Sequence, residues 1–152
     1  ITSGPIVDES VETNVEGIFA CGNVLHVHDL VDYVSEEAAN AGKNAAIYVK
    51  DRYGKDVKKA ENIIEIKATD GARYTVPSSI DLDKMADKLT VRFRVGAVFK
   101  DSYISVYLND ERIMHRKKQV MAPGEMEQII LQKKKLVDFD GLKTITVKIE
   151  AE

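Results

Sequence analysis

From residue 62 onwards the sequence alternates apolar and polar side chains one by one, and this pattern constrains the fold more than any other feature. The alternation is clearest in residues 64–68, 89–95, 104–108 and 145–149. A two-residue period is typical of strands that bury one face and expose the other, as in antiparallel sheets. Residues 58–152 are therefore predicted to form a small antiparallel β-sandwich of immunoglobulin-like or fibronectin-like shape, with an open barrel as the alternative.

Dipeptides typical of turns divide this region into short segments. They are Asp70-Gly71, Asn109-Asp110, Pro123-Gly124 and Asp140-Gly141. Gly, Asn and Asp tolerate left-handed backbone and Pro fixes φ, so these residues favour the ends of strands. Alternation and turns together predict about six to eight strands.

Residues 1–57 follow a different pattern, in which an apolar strand leads into a glycine turn at Gly22 and then into a helix rich in Ala and Gly. Asp29, Asp32 and Ser35 are the predicted candidates for the helix N-cap, and the helix is predicted to end at Gly54. Residues 54–60 are predicted to be a linker. The chain as a whole is thus expected to be α+β, with two domains, 1–57 and 58–152.

The segment 12–24 resembles the second flavin-binding motif of the FAD-dependent pyridine nucleotide-disulfide oxidoreductases, flavoproteins with two dinucleotide-binding domains. The residues that match the family pattern are Thr13, Gly17, Ile18, Phe19, Ala20 and Gly22. Asn23 stands where the family usually has Asp. The Ala-rich stretch that follows, residues 37–46, is similar to the helix that follows this motif in the family. The likeness covers residues 1–53 and identifies the first domain as the C-terminal remnant of an FAD-binding α/β domain.

The resemblance implies specific contacts with FAD. In the family the glycine turn approaches the ribityl and pyrophosphate groups, which places Gly22 and Asn23 at the cofactor. The N-terminus of the following helix points at the flavin ring, where its amides and dipole stabilise the negative charge of the reduced form. By this correspondence the donors are expected around Val34, Ser35 and Glu36.

The resemblance also implies missing parts. The family opens with a G-x-G-x-x-G turn that holds the FAD pyrophosphate, and no such glycine triplet occurs in these 152 residues. The chain is therefore expected to be the C-terminal portion of an FAD-dependent, NAD(P)-linked oxidoreductase and to be inactive alone. Its expected partners are the absent FAD and NAD(P) regions of the same polypeptide.

Two histidines lie in the insert between the glycine turn and the helix. An H-x-H pair, here His26 and His28, can begin a metal site, but no third ligand stands at a convincing spacing, so no metal is predicted. His26 is instead the candidate catalytic residue, lining the flavin edge and assisting proton transfer to substrate. Structural hydrogen bonding is the third possibility for the pair.

Composition excludes several classes of function. The formal net charge of -3 and the absence of a concentrated positive field argue against nucleic-acid binding. No apolar run has the length of a membrane span, and a cytoplasmic location is predicted. Cys21 is the single cysteine, which rules out an internal disulfide; it is expected to pack as a small buried side chain.

The β-domain carries few groups that indicate chemistry. His115 has no partner carboxylate at ligand spacing and is predicted to be a surface strand residue. The basic runs 116–118 and 133–135 are predicted to be solvated faces or protection of an edge strand, with docking of a partner protein as the sharper hypothesis. A self-standing protein-binding module without catalysis is the alternative function for the whole chain.

Overall fold

The computed structural model describes residues 4–55 and 62–151. The predicted boundary between residues 57 and 58 and most of the predicted linker lie outside these ranges. Within them the chain is α+β, with two helices and two sheets whose strands are mostly antiparallel. None of the helices in this part of the chain combines the length and apolarity needed to cross a membrane.

The first described segment is a loop, and the apolar strand predicted before Gly22 is wrong. Only isolated bridges form there, between Val7 and Thr13 and between Glu12 and Phe19. A buried strand needs a continuous ladder of hydrogen bonds along its edges, and this segment makes only single backbone hydrogen bonds, such as that from Ala20 to the carbonyl oxygen of Val11 at 3.0 Å. Ile18, which the strand would bury, is exposed.

Helix α1, Val31–Asp51, follows a short 3-10 turn at Gly22–Val24. Its N-cap is Leu30, in extended backbone and without a side-chain cap, so the predicted caps at Asp29, Asp32 and Ser35 are wrong. Asp29 is unavailable as a cap because its carboxylate accepts hydrogen bonds from Arg94 and from the amide of Met126.

Eight strands follow in the described residues, the upper end of the six to eight that were predicted. They are β1 Ile63–Thr69, β2 Ala72–Val76, β3 Ser79–Asp81, β4 Lys88–Val95, β5 Phe99–Leu108, β6 Glu111–Met121, β7 Glu127–Gln132 and β8 Thr144–Glu150. One sheet has the order β3-β1-β8-β5-β6 and the other the order β2-β4-β7. Each of the four predicted turns separates two of these elements.

One strand pair departs from the predicted antiparallel arrangement. β1 and β8 run parallel, in a register that places Ile66 opposite Ile145 and Ala68 opposite Val147. Alternation of side chains reports which face a strand buries and carries no information about the direction of its neighbour. The sequence pattern therefore could not reveal this pairing.

The buried side chains of both sheets form one apolar cluster. It includes Phe93 from β4, Ile104 from β5, Ile129 from β7 and Ile145 from β8. A second, smaller cluster contains residues of the N-terminal segment and α1, among them Leu25, with Cys21 packed against it. Val76, on β2, belongs to this second cluster, so the β-rich part forms one wall of it.

Helix α2, Lys133–Val137, was not predicted and contains one of the two basic runs. Lys133 lies at its start and donates from Nζ to the carbonyl oxygens of Asp83 and Met85. The other run, 116–118, lies on β6 at the edge of the five-stranded sheet. Its predicted place on an edge strand is confirmed.

Candidate functional site

The candidate site is built around the turn at Gly22. Gly22 has φ +70°, a left-handed conformation that glycine adopts without strain. A Cβ at this position would lie 3.7 Å from Cγ1 of Val34, an ordinary contact. The backbone angle, more than lack of space, therefore selects glycine here. The short distance to Val34 also shows that the turn lies against the N-terminal part of α1.

Asn23 follows the glycine with its side chain exposed. In the described ranges, its amide group has no hydrogen-bond partner. The group is free to donate to or accept from a ligand that reaches the turn.

The start of α1 corrects the expected backbone donors. Because the helix begins at Val31, the amides of Val31 and Asp32 belong to the first turn and lack carbonyl partners within the helix. The amides of Val34, Ser35 and Glu36 lie one turn further on, where they point at carbonyls of the preceding turn. The Glu36 carboxylate forms an ion pair with Arg92 at 2.5 Å, directed towards the β-rich part.

Apolar side chains surround the turn and the helix start. Val24, Val27, Leu30 and Val31 are 64%, 61%, 53% and 79% exposed. Single exposed apolar residues are ordinary, but a group of them next to a polar turn is typical of a surface that something covers. We call these four residues the apolar rim.

Behind the turn, three ionisable side chains converge in the interior. Nε2 of His26 lies 3.1 Å from Oε2 of Glu37, and Nε2 of His28 lies 3.0 Å from Oε1. The Gly22 amide donates to the same Oε1 at 2.6 Å. Glu37 therefore connects the glycine turn, the insert and α1. We call His26, His28 and Glu37 the buried triad.

The triad is almost completely removed from water. The side chains of His26, His28 and Glu37 are 1%, 0% and 4% exposed. Burial alone raises the pKa of a carboxyl group, but hydrogen bonds from both histidines and from Gly22 outweigh it, and the pKa of Glu37 lies below its ordinary value. Glu37 is thus an ionised carboxylate in the protein interior.

This burial bears on the predicted proton transfer by His26. A general acid or base has to come within hydrogen-bonding reach of the reacting atom, directly or through one water. Nε2 of His26 is already engaged by Glu37, and its side chain does not reach the surface. The geometry gives no support to direct proton transfer from His26 to a substrate.

A cavity of about 670 Å³ lies between the N-terminal segment, α1 and β4. Three buried atoms on its walls have no hydrogen-bond partner among residues 4–55 and 62–151: Oε1 of Glu9, Nε of Arg52 and Nε of Arg92. Burial, with smaller contributions from Asp8 and Asp81, raises the pKa of Glu9 to about 7. The walls therefore carry charges of both signs, which fit a polar ligand without selecting one chemical class.

His115 has closer partners than its sequence neighbourhood indicated. Its Nδ1 lies 2.8 Å from Oγ of Ser105 and 3.8 Å from Oε2 of Glu150, and its ring stacks on Tyr103 with centroids 4.0 Å apart. His115 is an exposed residue of strand β6, so its prediction as a surface strand residue is confirmed, and the fold brings it near a carboxylate that is distant in sequence. The three groups still do not form a hydrolytic triad, because that chemistry needs the serine and the carboxylate on opposite ring nitrogens.

No protein-family model, curated protein or solved structure matches this chain. A function therefore has to be argued from the site itself. Sequence reasoning selected Gly22, Asn23 and the two histidines as candidates. It missed Glu37. The feature that could have indicated this residue is its position in the first turns of an Ala-rich helix, nine residues after His28.

Proposed function

We propose that residues 4–53 form half of an FAD-binding site in an FAD-dependent, NAD(P)-linked oxidoreductase. The observation that carries the proposal is the juxtaposition of the left-handed Gly22 turn, the exposed Asn23 side chain and the start of α1. The arrangement has the glycine turn and the following helix of the second flavin motif, while the strand before the turn is reduced to isolated bridges. A helix start beside a glycine turn also supplies amide donors and a positive dipole end for an anionic ligand.

Each group has a separate task in this proposal. Gly22 lets the backbone approach the cofactor closely, and Asn23 contacts a hydroxyl or phosphate oxygen through its amide. The amides of Val31 and Asp32 take the place of the donors expected at residues 34–36. Together with the dipole they stabilise negative charge on the flavin by about 1 kcal/mol. When bound, FAD supplies hydride exchange with NAD(P).

The apolar rim supports the proposal that further polypeptide completes the site. We infer that the occupant of this surface is the remainder of the FAD-binding region, which also brings the G-x-G-x-x-G turn and the NAD(P) region. Without it the chain has one wall of a cofactor cleft. The purified chain of residues 1–152 is therefore expected to be colourless, and a preparation that retains FAD would contradict this.

The β-rich part is proposed to be a sandwich of immunoglobulin-like or fibronectin-like type with a docking role. The single apolar cluster that collects buried residues from both sheets supports face-to-face packing. In the five-stranded sheet, β8 lies between β1 and β5 and pairs in parallel with β1. The first and last of the described strands are therefore neighbours, which supports a sandwich topology.

Substitution of Asn23 in the parent oxidoreductase tests the flavin proposal. Asn23→Ala removes a polar contact at the turn and is expected to weaken FAD binding by about tenfold, the effect of one hydrogen bond to a charged or polar group. Fluorescence titration of the apoprotein with FAD measures this. Asn14→Ala, the same change at an exposed site nearby, serves as the control and is expected to leave the affinity unchanged. Equal affinities for both variants would remove the support for Asn23 as a contact.

The second candidate function is a protein-binding module without catalysis. The observation in its favour is β6, an eleven-residue strand at the sheet edge with mostly exposed side chains and the basic run 116–118. An exposed edge strand is a surface to which an extended peptide can add. The absorption spectrum of the purified parent protein distinguishes the two candidates. A flavoprotein contains bound FAD, and a binding module does not.

A further inference from the structure

We propose that His26, His28 and Glu37 form a binding site for a divalent first-row transition metal ion, with Zn²⁺ as the best match. The sequence supplied two histidines without a third ligand. The fold supplies the third by bringing the second turn of α1 against the insert. This inference does not depend on the proposed binding of FAD.

The ligand geometry fits one small ion. One atom from each side chain lies within 4.8 Å of the other two. The nitrogens of His26 and His28 lie 3.1 Å and 3.0 Å from the carboxylate oxygens. Tetrahedral Zn²⁺ with bonds of about 2.0–2.1 Å keeps neighbouring ligands about 3.3 Å apart. Each of the two measured distances is to a different oxygen of Glu37, so the three ligand atoms, which lie within 4.8 Å of one another, would draw together around the ion and leave the fourth tetrahedral position open.

The chemistry of the donor set selects the class of ion. Two imidazoles and one carboxylate suit Zn²⁺ and other borderline ions, whereas Mg²⁺ and Ca²⁺ prefer oxygen ligands alone. The Glu37 carboxylate lies within hydrogen-bonding distance of both imidazoles, so one dication between these groups would contact all three side chains.

The surroundings of the triad favour a structural ion. The amide of Gly22 already orients the Glu37 carboxylate through a bond of 2.6 Å, as groups behind metal ligands commonly do. The side chains are closed off from solvent. The ion would join the insert to α1 and fix the Gly22 turn in place.

Zinc binding to the chain of residues 1–152 tests the proposal. We expect about one Zn²⁺ per chain by elemental analysis after growth with zinc, and a higher Tm than for the chelated form. His28→Ala and Glu37→Gln are each expected to weaken Zn²⁺ binding by about 100-fold. Loss of a group that only orients a metal ligand already weakens binding by about 10- to 100-fold. His115→Ala changes the remaining histidine, outside the triad, and is expected to bind zinc like the parent chain.

A second measurement keeps the proposal open to refutation if a triad variant does not fold. Co²⁺ added to the chelated wild-type chain is expected to give the visible absorption bands of a tetrahedral site, and Zn²⁺ is expected to displace them. Absence of Co²⁺ bands and of bound zinc in folded wild-type chain would overturn the proposal, whether or not the parent binds FAD.

Discussion

Single residues explain both the success and the failure of sequence reasoning at the site. The turn at Gly22 was predictable because glycine adopts its left-handed backbone without strain. Glu37 was not, because its role depends on a fold that returns α1 to the insert. Spacing along the chain does not report contacts of that kind.

At the same scale, Glu9 gives the stability of the protein a pH dependence. The pKa of Glu9 is raised from 4.5 to about 7 in the folded state, so folding favours its protonated form. The stabilisation that protonated Glu9 gives the folded state is complete below pH 4.5 and is lost as the pH rises through about 7. The free energy of unfolding changes by on the order of 3 kcal/mol over this interval. Glu9→Gln keeps an acceptor for the Asp81 amide and is expected to flatten the free energy of unfolding across this interval.

Urea unfolding at a series of pH values between 4 and 8 measures this effect. Glu125→Gln, at an exposed carboxylate, is the matched control and is expected to retain the slope of the wild-type chain. Glu150, whose pKa is lowered from 4.5 to about 2 by hydrogen bonds from Ser105 and others, reduces stability only as the pH falls through about 4.5, so the slope is compared above about pH 5. A slope that survives in Glu9→Gln would show that other groups cause it.

Among the elements, strands were predictable and their partners were not. Alternation located β1, β4, β5 and β8, since one face of each is buried in the apolar cluster. β6 was indicated by its basic run and not by alternation, because few of its side chains are buried. The parallel β1–β8 pair was missed because pairing direction is decided by the connections between strands and not by the strands themselves.

The turn at Asp70-Gly71, which connects β1 in one sheet to β2 in the other, allows a test at this scale. Gly71 has φ +100°, and a Cβ there would lie 2.7 Å from Cζ of Phe99 and 3.1 Å from Cβ of Ile149. Gly71→Ala is therefore expected to destabilise the protein by about 2–3 kcal/mol through strain and overpacking. Gly124→Ala meets no atom within 4 Å and is expected to change stability by less than about 1 kcal/mol. Chemical denaturation of both variants measures the difference, and equal stabilities would contradict the argument.

For the molecule as a whole, the question is how the N-terminal part is held on the β-rich part. Arg94 is central, because its guanidinium donates to the carbonyl oxygens of Val27 and Pro123 and pairs with Asp29 at 2.5 Å. The backbone of Ser78 also donates to Val7 at 3.1 Å. None of these contacts was predictable, since they join residues far apart in sequence.

Arg94→Ala is expected to loosen this attachment. Loss of hydrogen bonds from a charged group to several partners is expected to cost about 1.5–3 kcal/mol. Hydrogen exchange should show faster opening of residues 22–30 with little change in β5 and β8. Arg112→Ala, at an exposed arginine whose ion pair with Glu150 measures 3.7 Å, is expected to change stability by less than about 0.5 kcal/mol. If hydrogen exchange became faster to the same extent in residues 22–30, β5 and β8, the two parts would open together and the prediction would be wrong.

The central place of β8 affects how the protein is made. β8 comes last along the chain but lies between β1 and β5 in the finished sheet. During synthesis on the ribosome, the edges of β1 and β5 therefore wait unpaired until residues 144–150 leave the exit tunnel. Open strand edges pair readily with other chains, so a nascent chain stalled before Thr144 is a natural target for chaperones.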